Sequence, residues 1–138
     1  MVALSDAAMR SLTAIDHHDH EAMIALDDAT DEPLGIARYV RYPQRRDTAE
    51  VAVTVVDDWQ GRGLGTLLLQ VISARARGEG VRIFTAQMLA SNGEMMHLLR
   101  ELGAVRIVDR AAGVLEVEVA IPAIGVAPTL SEMLRMAA

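Results

Sequence analysis

Residues 49–77 of the chain read AEVAVTVVDDWQGRGLGTLLLQVISARAR, and this stretch determines how the rest of the chain is organised. Apolar and polar residues alternate over residues 50–56, which predicts a β-strand with one buried face. Leucine, valine and isoleucine then recur at helical spacing over residues 66–77, which predicts an amphipathic helix. The glycines between them, Gly61, Gly63 and Gly65, predict a loop that leads directly from the strand into the helix.

This order of strand, glycine loop and helix brings several backbone N–H groups into one small space. The first turn of a helix has unpaired amides and the positive end of the helix dipole, so residues 60–66 predict a phosphate or pyrophosphate site. Gly63 and Gly65 would let a ligand approach the backbone closely, and Arg62 adds a positive charge at the rim. The competing interpretation is a tight turn without a ligand.

Two other phosphate-binding motifs do not fit these residues. A P-loop requires Lys followed by Ser or Thr after its last glycine. Here Gly65 is followed by Thr66 and Leu67, and the chain contains no lysine. The dinucleotide fingerprint requires a different glycine spacing and a second βαβ half, neither of which follows in this chain.

The pattern Gln60-x-x-Gly63-x-Gly65 resembles the acetyl-CoA loop of the GNAT superfamily of N-acetyltransferases, Gln/Arg-x-x-Gly-x-Gly/Ala. The predicted strand before the loop and the helix after it also match that superfamily, and Asn92 matches the start of its second conserved helix. The resemblance covers about residues 18–121. Within the superfamily, residues 49–65 look most like the bacterial protein-lysine acetyltransferase branch.

The resemblance implies an α/β fold of the GNAT type: a mixed, mostly antiparallel sheet with a central parallel βαβ pair flanked by helices. The whole chain, 1–138, is then a single domain. The sequence pattern predicts strands at residues 21–26, 34–42, 49–56, 81–86, 105–110 and 114–121, and helices at residues 66–77 and 93–102.

Both ends of the chain carry further helix signals. Ser5 can cap a helix that ends near Asp16, which would leave no room for the family's usual first strand. Thr129 and Glu132 form a capping-box pattern, which predicts a short helix in the tail formed by residues 122–138.

The resemblance also implies which residues bind acetyl-CoA. The backbone of Val53 and Val55 is expected to hold the pantetheine arm where two parallel strands splay apart, and Asn92 is expected near the thiol end. The contacts to the pyrophosphate are expected from the loop, namely Gln60, Gly61, Arg62, Gly63, Leu64, Gly65 and Thr66.

Glu50 is the expected catalytic residue. It lies on the strand that carries the acetyl site in this family, and it would accept the proton of an amine that is mostly protonated at neutral pH. Because Glu50 shares a strand face with Ala52, Thr54 and Val56, an otherwise apolar environment is expected to raise the pKa of its carboxyl group. The competing interpretation is a surface glutamate at the edge of the strand. The family's tyrosine general acid is absent, since the matching position is Leu99.

Two functions remain open on these residues. The first is an acetyl-CoA-dependent N-acetyltransferase that acts on a primary amine, either a protein lysine or a small molecule. The alternative is a non-catalytic acyl-CoA-binding module, which the missing tyrosine would favour. Because the 138 residues include no lysine, the chain cannot acetylate a side-chain amine of its own.

Composition excludes several other classes. The net charge of −6 argues against nucleic-acid binding, and no apolar run reaches the length of a membrane span. The absence of cysteine excludes thiolate catalysis and fits a cytoplasmic location. His17, His18 and His20 suggest a metal site, but adjacent loop positions rarely converge on one ion, so no metal is expected. A homodimer is compatible with the apolar tail.

Overall fold

The computed structural model describes residues 7–11, 16 and 18–123. One seven-stranded sheet organises them, with the strand order β1-β2-β3-β4-β5-β7-β6. Neighbouring strands are antiparallel except for the central pair β4 and β5, which is parallel. The elements are β1 Ala7–Ser11, β2 His20–Asp27, β3 Pro33–Tyr42, β4 Arg45–Val55, α1 Leu64–Gly78, β5 Ile83–Leu89, α2 Gly93–Leu102, β6 Val105–Ala111 and β7 Val114–Ala120.

The predicted α/β fold is confirmed, including the parallel βαβ unit formed by β4, α1 and β5. Gly63, in the left-handed region with φ of 84°, is the N-cap of α1. The side chain of Asn92 caps α2 by accepting a hydrogen bond from the Met95 amide at 3.1 Å. Strand β4 starts four residues earlier than predicted, because only Pro43 and Gln44 are needed to turn the chain between β3 and β4.

The prediction for the amino-terminal segment is wrong. Ala7–Ser11 is a strand rather than part of a helix, and it pairs antiparallel with β2, with Ala7 opposite Asp27 and Ser11 opposite Met23. The family's first strand is therefore present. The free edge of β2 offers backbone partners that outweigh a weak local helix preference. Only residues 12–19 connect β1 to β2.

Helices α1 and α2 cover one face of the sheet, which we call the inner face. Tyr39 and Phe84 are fully buried there, with ring centroids 6.2 Å apart. The helices contribute fully buried leucines to the same core, Leu64, Leu68 and Leu99. We call the opposite side of the sheet the outer face; it exposes Val40 and Leu89, at 48% and 62% of their surface.

Two other predictions concern a membrane-spanning helix and the helix of the carboxyl-terminal tail. No helix among residues 7–11, 16 and 18–123 is both long and apolar enough to cross a membrane. The helix predicted from Thr129 lies outside the described residues.

Candidate active site

Strands β4 and β5 form a fork at the centre of the sheet. They pair over only three positions, Thr48–Glu50 of β4 with Ile83–Thr85 of β5. Beyond Glu50, β4 continues to Val55 paired only with β3, while β5 continues to Leu89 paired only with β7. The strands run in the same direction, so the closed end of the fork lies at Glu50 and the open end at Val55, about 17 Å away along β4.

The edge of β4 that faces the open fork presents the backbone of Val53 and Val55. The Val56 amide donates to Leu34 O at 2.8 Å, on the β3 side. Because the backbone groups of successive strand residues point to alternate edges, those of Val55 and Val53 point toward β5. The Val55 carbonyl accepts a hydrogen bond from Gln60 Nε2 at 3.2 Å, so the Gln60 side chain lies beside the open end of the fork.

The glycine loop lies at the open end of the fork, and its backbone amides there are unpaired. The first backbone bond of α1 runs from the Leu67 amide to Gly63 O at 3.1 Å. Within the described part of the chain, the amides of residues 61–66 have no backbone or side-chain acceptor. These groups lie at the amino end of a fifteen-residue helix, where unpaired amides can donate hydrogen bonds to an anion, so the anion site stays a prediction.

The glycines of the loop have different roles. Gly61 and Gly63 have φ of 74° and 84°, and a Cβ at either position would meet no atom within 4 Å. Their role is conformational, because other residues rarely adopt such angles. Gly65 has an ordinary helical conformation, but its Cβ would lie 3.2 Å from Leu98 Cδ1 of α2. Gly65 therefore allows α1 and α2 to pack closely. The close approach of a ligand at Gly65 stays a prediction.

Two loop side chains are fixed by neighbours. The guanidinium of Arg62 lies over the Trp59 ring, 5.3 Å from its centroid, which keeps a positive charge beside the unpaired amides. The Thr66 hydroxyl donates to Glu101 Oε2 at 3.0 Å and ties the first turn of α1 to the end of α2. The Leu64 side chain is fully buried, so only its backbone faces the loop.

The structure separates Asn92 from Glu50. Asn92 follows the end of β5 at Leu89, on the open side of the fork, whereas Glu50 is at the closed end. Its side-chain oxygen already holds the Met95 amide. Asn92 thus flanks the open end from the β5 side, and Gln60 flanks it from the β4 side.

Glu50 lies on the outer face in a row of side chains that crosses the sheet. The pairing places Val40 and Thr85 on its two sides, and Glu118 of β7 beyond Thr85. Glu50 is exposed, so it lacks the apolar enclosure that the sequence interpretation assumed. It is accessible to a substrate that approaches from the outer face.

A cleft of about 540 Å³ lies on the outer face beside Glu50. The hydroxyl groups of Tyr42 and Thr85 form one wall and are joined by a 2.7 Å hydrogen bond. Glu116 and Glu118 of β7 form another wall. The sequence contains no direct signal for this cleft, because its lining residues come from five strands, β3 to β7, and meet only through the register of the sheet.

Three further side chains, those of Tyr39, Leu99 and His97, have partners or positions that the structure defines. Tyr39 is a core residue: its hydroxyl donates to His18 O at 3.0 Å, and burial raises its pKa to about 12. Leu99, at the position of the family's tyrosine, is fully buried. His97 is exposed, with Nε2 3.0 Å from Glu101 Oε1.

The histidine segment shows no metal site among the described residues, which exclude His17. His18 Nδ1 lies 3.0 Å from Glu79 Oε2, so this ring binds a carboxylate at the end of α1. The carboxylate of Asp16 accepts hydrogen bonds from the amides of His18, Asp19 and His20, each at 2.9 Å. These contacts lower the pKa of Asp16 and fold the segment into a turn.

Comparison with known proteins is consistent with this geometry. Residues 2–104 match the model of the acetyltransferase (GNAT) family. The chain is 34% identical over 128 residues to acetyltransferase Pat of Mycolicibacterium smegmatis, covering 93% of this chain and 38% of that protein. It is 37% identical over 84 residues to the L-methionine sulfoximine/L-methionine sulfone acetyltransferase of Pseudomonas aeruginosa, covering 59% and 49%.

A solved structure gives the same result for the fold. The cAMP-binding acyltransferase from Mycobacterium smegmatis superposes with a TM-score of 0.72 at 32% identity, over 89% of this chain and 38% of that chain. The chain therefore spans between about a third and a half of the length of these relatives.

Proposed function

The chain belongs to the acetyltransferase (GNAT) family, and we propose that it transfers the acetyl group of acetyl-CoA to a primary amine. The observation that carries this proposal is the fork between β4 and β5, which opens onto the unpaired amides of residues 61–66. A parallel pair that separates after three positions leaves a slot between two strands, and the loop brings unpaired amides, which suit an anion, to its mouth. Together they match a ligand that is extended at one end and carries phosphates at the other.

In this proposal the residues of the open end hold acetyl-CoA. The amides of residues 61–66 receive the pyrophosphate, and the Arg62 guanidinium adds its charge beside them. The free backbone edge at Val53 and Val55 receives the pantetheine arm, after the Gln60 side chain gives up its bond to the Val55 carbonyl. Asn92 borders the arm from the β5 side. Acetyl-CoA supplies the thioester that the amine attacks.

Glu50 accepts a proton from the amine at the closed end. An alkylammonium ion transfers this proton to the carboxylate, and the neutral nitrogen attacks the carbonyl carbon of the thioester. The new C–N bond forms and the C–S bond breaks, so an amide and CoA thiolate result. The nitrogen loses its second proton and the thiolate takes one up, which releases one proton overall from the ammonium ion.

Titration calorimetry with acetyl-CoA and with free CoA tests the binding part of this proposal. Binding of both ligands in the micromolar range is expected, since the pyrophosphate and pantetheine contacts are common to them. Failure of acetyl-CoA to bind would contradict the assignment of the fork and the loop.

The Glu50→Gln substitution tests the chemistry. It is expected to lower kcat by roughly 10²–10⁴-fold, while the Kd of acetyl-CoA stays within twofold. Asp28→Asn is the matched control, because it also removes one exposed carboxylate, from the turn between β2 and β3. Unchanged turnover in Glu50→Gln would eliminate the general-base role. Binding of acetyl-CoA by the wild-type protein without transfer to any amine would instead favour a non-catalytic acyl-CoA-binding module.

A further inference from the structure

We propose that the outer-face cleft beside Glu50 is the acceptor site and binds a primary alkylammonium group, such as a lysine side chain, through the hydroxyl groups of Tyr42 and Thr85. This inference rests on the proposed function and adds to it the place and the chemical class of the acceptor. Three independent features of the structure support it: position, hydrogen-bonding capacity and charge.

The position follows from the register of the sheet. Thr85 is the residue of β5 that pairs with Glu50, at the last position before the strands separate. Their side chains therefore lie on the same face and about 5 Å apart at the backbone. The cleft begins at Thr85 and extends away from Glu50 across β7. A group bound at Thr85 is thus next to the general base and at the closed end of the fork.

The hydroxyl pair suits an ammonium ligand. Tyr42 and Thr85 share one hydrogen bond of 2.7 Å, which uses the proton of one hydroxyl and one lone pair of the other. Each oxygen keeps further capacity to accept, and an alkylammonium group has three N–H donors and no acceptor. Thr85 is 4% exposed and Tyr42 is partly buried, so the protein fixes both hydroxyls before a ligand arrives.

The charges in and around the cleft favour a cation at the end that lies next to Glu50. Two arginines, Arg45 and Arg106, also line the cleft, and both are paired with Glu118, at 3.5 Å and 2.9 Å. In the part of the chain that the structure describes, Glu116 has no arginine or histidine within ion-pair distance. The exposed carboxylate of Glu50 adds a second negative charge on the other side of Thr85.

Steady-state kinetics with Nα-acetyl-lysine methylamide as the acceptor test the site. Because the 138 residues contain no lysine, the probe supplies the only ε-amine in the assay. Tyr42→Phe and Thr85→Val each remove one hydroxyl at nearly constant volume. Each is expected to raise the KM for the probe roughly ten- to a hundredfold, the value of one hydrogen bond to a charged group. The Kd of acetyl-CoA should stay within twofold.

Conservative and remote variants separate binding from a merely structural effect. Thr85→Ser restores the hydroxyl and should return the KM to within about threefold of wild type, whereas a structural defect would persist. Thr30→Val removes an exposed hydroxyl from the turn between β2 and β3 and should change neither constant. Wild-type KM values in both Tyr42→Phe and Thr85→Val would overturn the proposal.

A binding measurement distinguishes failure of this inference from failure of the proposed function. If the wild-type protein shows no transfer, NMR of ¹³C-labelled threonine methyl groups in the presence of CoA still reports on the cleft. Selective perturbation of Thr85 by the amine probe, but not by its ε-hydroxyl analogue, would support the acceptor site without the enzyme activity. No perturbation of Thr85 at millimolar probe would overturn the site.

Discussion

The two ends of strand β4 differ in the pairing of nearby backbone groups. At the amino end an arginine binds backbone carbonyl groups, whereas at the carboxyl end backbone groups lack partners. At the amino end, the Arg41 guanidinium of the neighbouring strand is almost completely enclosed, with 8% of its side chain exposed. It donates to three carbonyl oxygens, those of Glu79 at 2.7 Å, Arg46 at 2.9 Å and His18 at 3.1 Å, and it pairs with Asp19 at 3.3 Å. We call this group the arginine cluster. It joins the start of β2, the turn into β4 and the end of α1.

At the carboxyl end, the fork and the glycine loop leave backbone groups without partners. The amides of residues 61–66 find no acceptor among the described residues, and the edge of β4 at Val53 has no strand beside it. Unsatisfied polar groups cost free energy when they are removed from water. The difference indicates that the arginine cluster stabilises the fold, whereas the open end has the unpaired groups that the proposed acetyl-CoA site requires.

Arg41→Met is the substitution with the largest expected effect on stability. It leaves three carbonyl oxygens without their common donor, and their partial exposure lets water replace only some of these bonds. The free energy of unfolding is therefore expected to fall by about 2–4 kcal/mol, measured by urea denaturation. The folded protein should retain its affinity for acetyl-CoA, because the cluster lies at the far end of β4.

Arg38→Met provides the matched control on the same strand. Arg38 is exposed, so this substitution removes the same charge without uncovering a buried acceptor. The expected change is within about 0.5 kcal/mol. Equal effects of the two substitutions would show that the arginine cluster is not a special source of stability, and the contrast between the two ends of β4 would fail.

Gly63→Ala tests the other end. Alanine in the left-handed region costs about 1–2 kcal/mol. The loop should shift to relieve this strain, and at least one amide should then no longer point at the phosphate. Loss of one hydrogen bond to a charged phosphate oxygen corresponds to roughly a ten- to hundredfold higher Kd for acetyl-CoA. Calorimetry measures this change. An unaltered Kd in a destabilised protein would show that the phosphates bind elsewhere.

The sequence predicted the open end better than any other region, for a physical reason. The glycine loop is a local feature, so the order of residues 50–77 is sufficient to predict the strand, the loop and the helix. The helix prediction for Ala7–Ser11 is wrong because the conformation of this segment depends on pairing with β2, which a local helix pattern does not reveal. The small space at Gly65, where a Cβ would lie 3.2 Å from Leu98 Cδ1, depends on the packing of α1 against α2 and has no signal in the sequence.

The cleft illustrates the same limit of prediction from sequence, because it depends on contacts between distant residues. Glu50 and Thr85 are 35 positions apart in the chain, and only the register of the parallel pair makes them neighbours. Tyr39 and Tyr42 lie three positions apart on β3, and their different roles depend on the faces of the sheet. Alternation along β3 places Tyr39 in the core and Tyr42 on the outer face, but the sequence does not specify which face carries the site.

Substitution of the two tyrosines gives the next smaller effect. Tyr39→Phe removes the hydrogen bond to the His18 carbonyl and should lower the free energy of unfolding by about 1 kcal/mol. Tyr42→Phe should change it by less than about 0.5 kcal/mol, because its partner Thr85 faces an open cleft that water can fill. Urea denaturation of both variants measures the difference. A larger loss in Tyr42→Phe would assign a stabilising role to the cleft.

The smallest expected effect is the pH dependence of stability that comes from His18, which lies near the arginine cluster. The hydrogen bond to Glu79, followed by the charge of that carboxylate and those of Asp16 and Asp19, raises the pKa of His18 above its ordinary value of 6.5. Folding then favours the protonated ring. The stabilisation is complete below about pH 6.5 and is lost as the pH rises through the higher, folded-state pKa.

This contribution is small because both side chains are exposed, His18 at 70% and Glu79 at 36%, so solvent screens the pair. An NMR titration of the imidazole should show the raised pKa in the wild-type protein and a value near 6.5 in Glu79→Gln. The same substitution should flatten the slope of unfolding free energy between pH 6 and 8, a range taken from the ordinary histidine pKa. An unchanged imidazole titration would show that the charges of Asp16 and Asp19, rather than the contact with Glu79, hold the proton on His18.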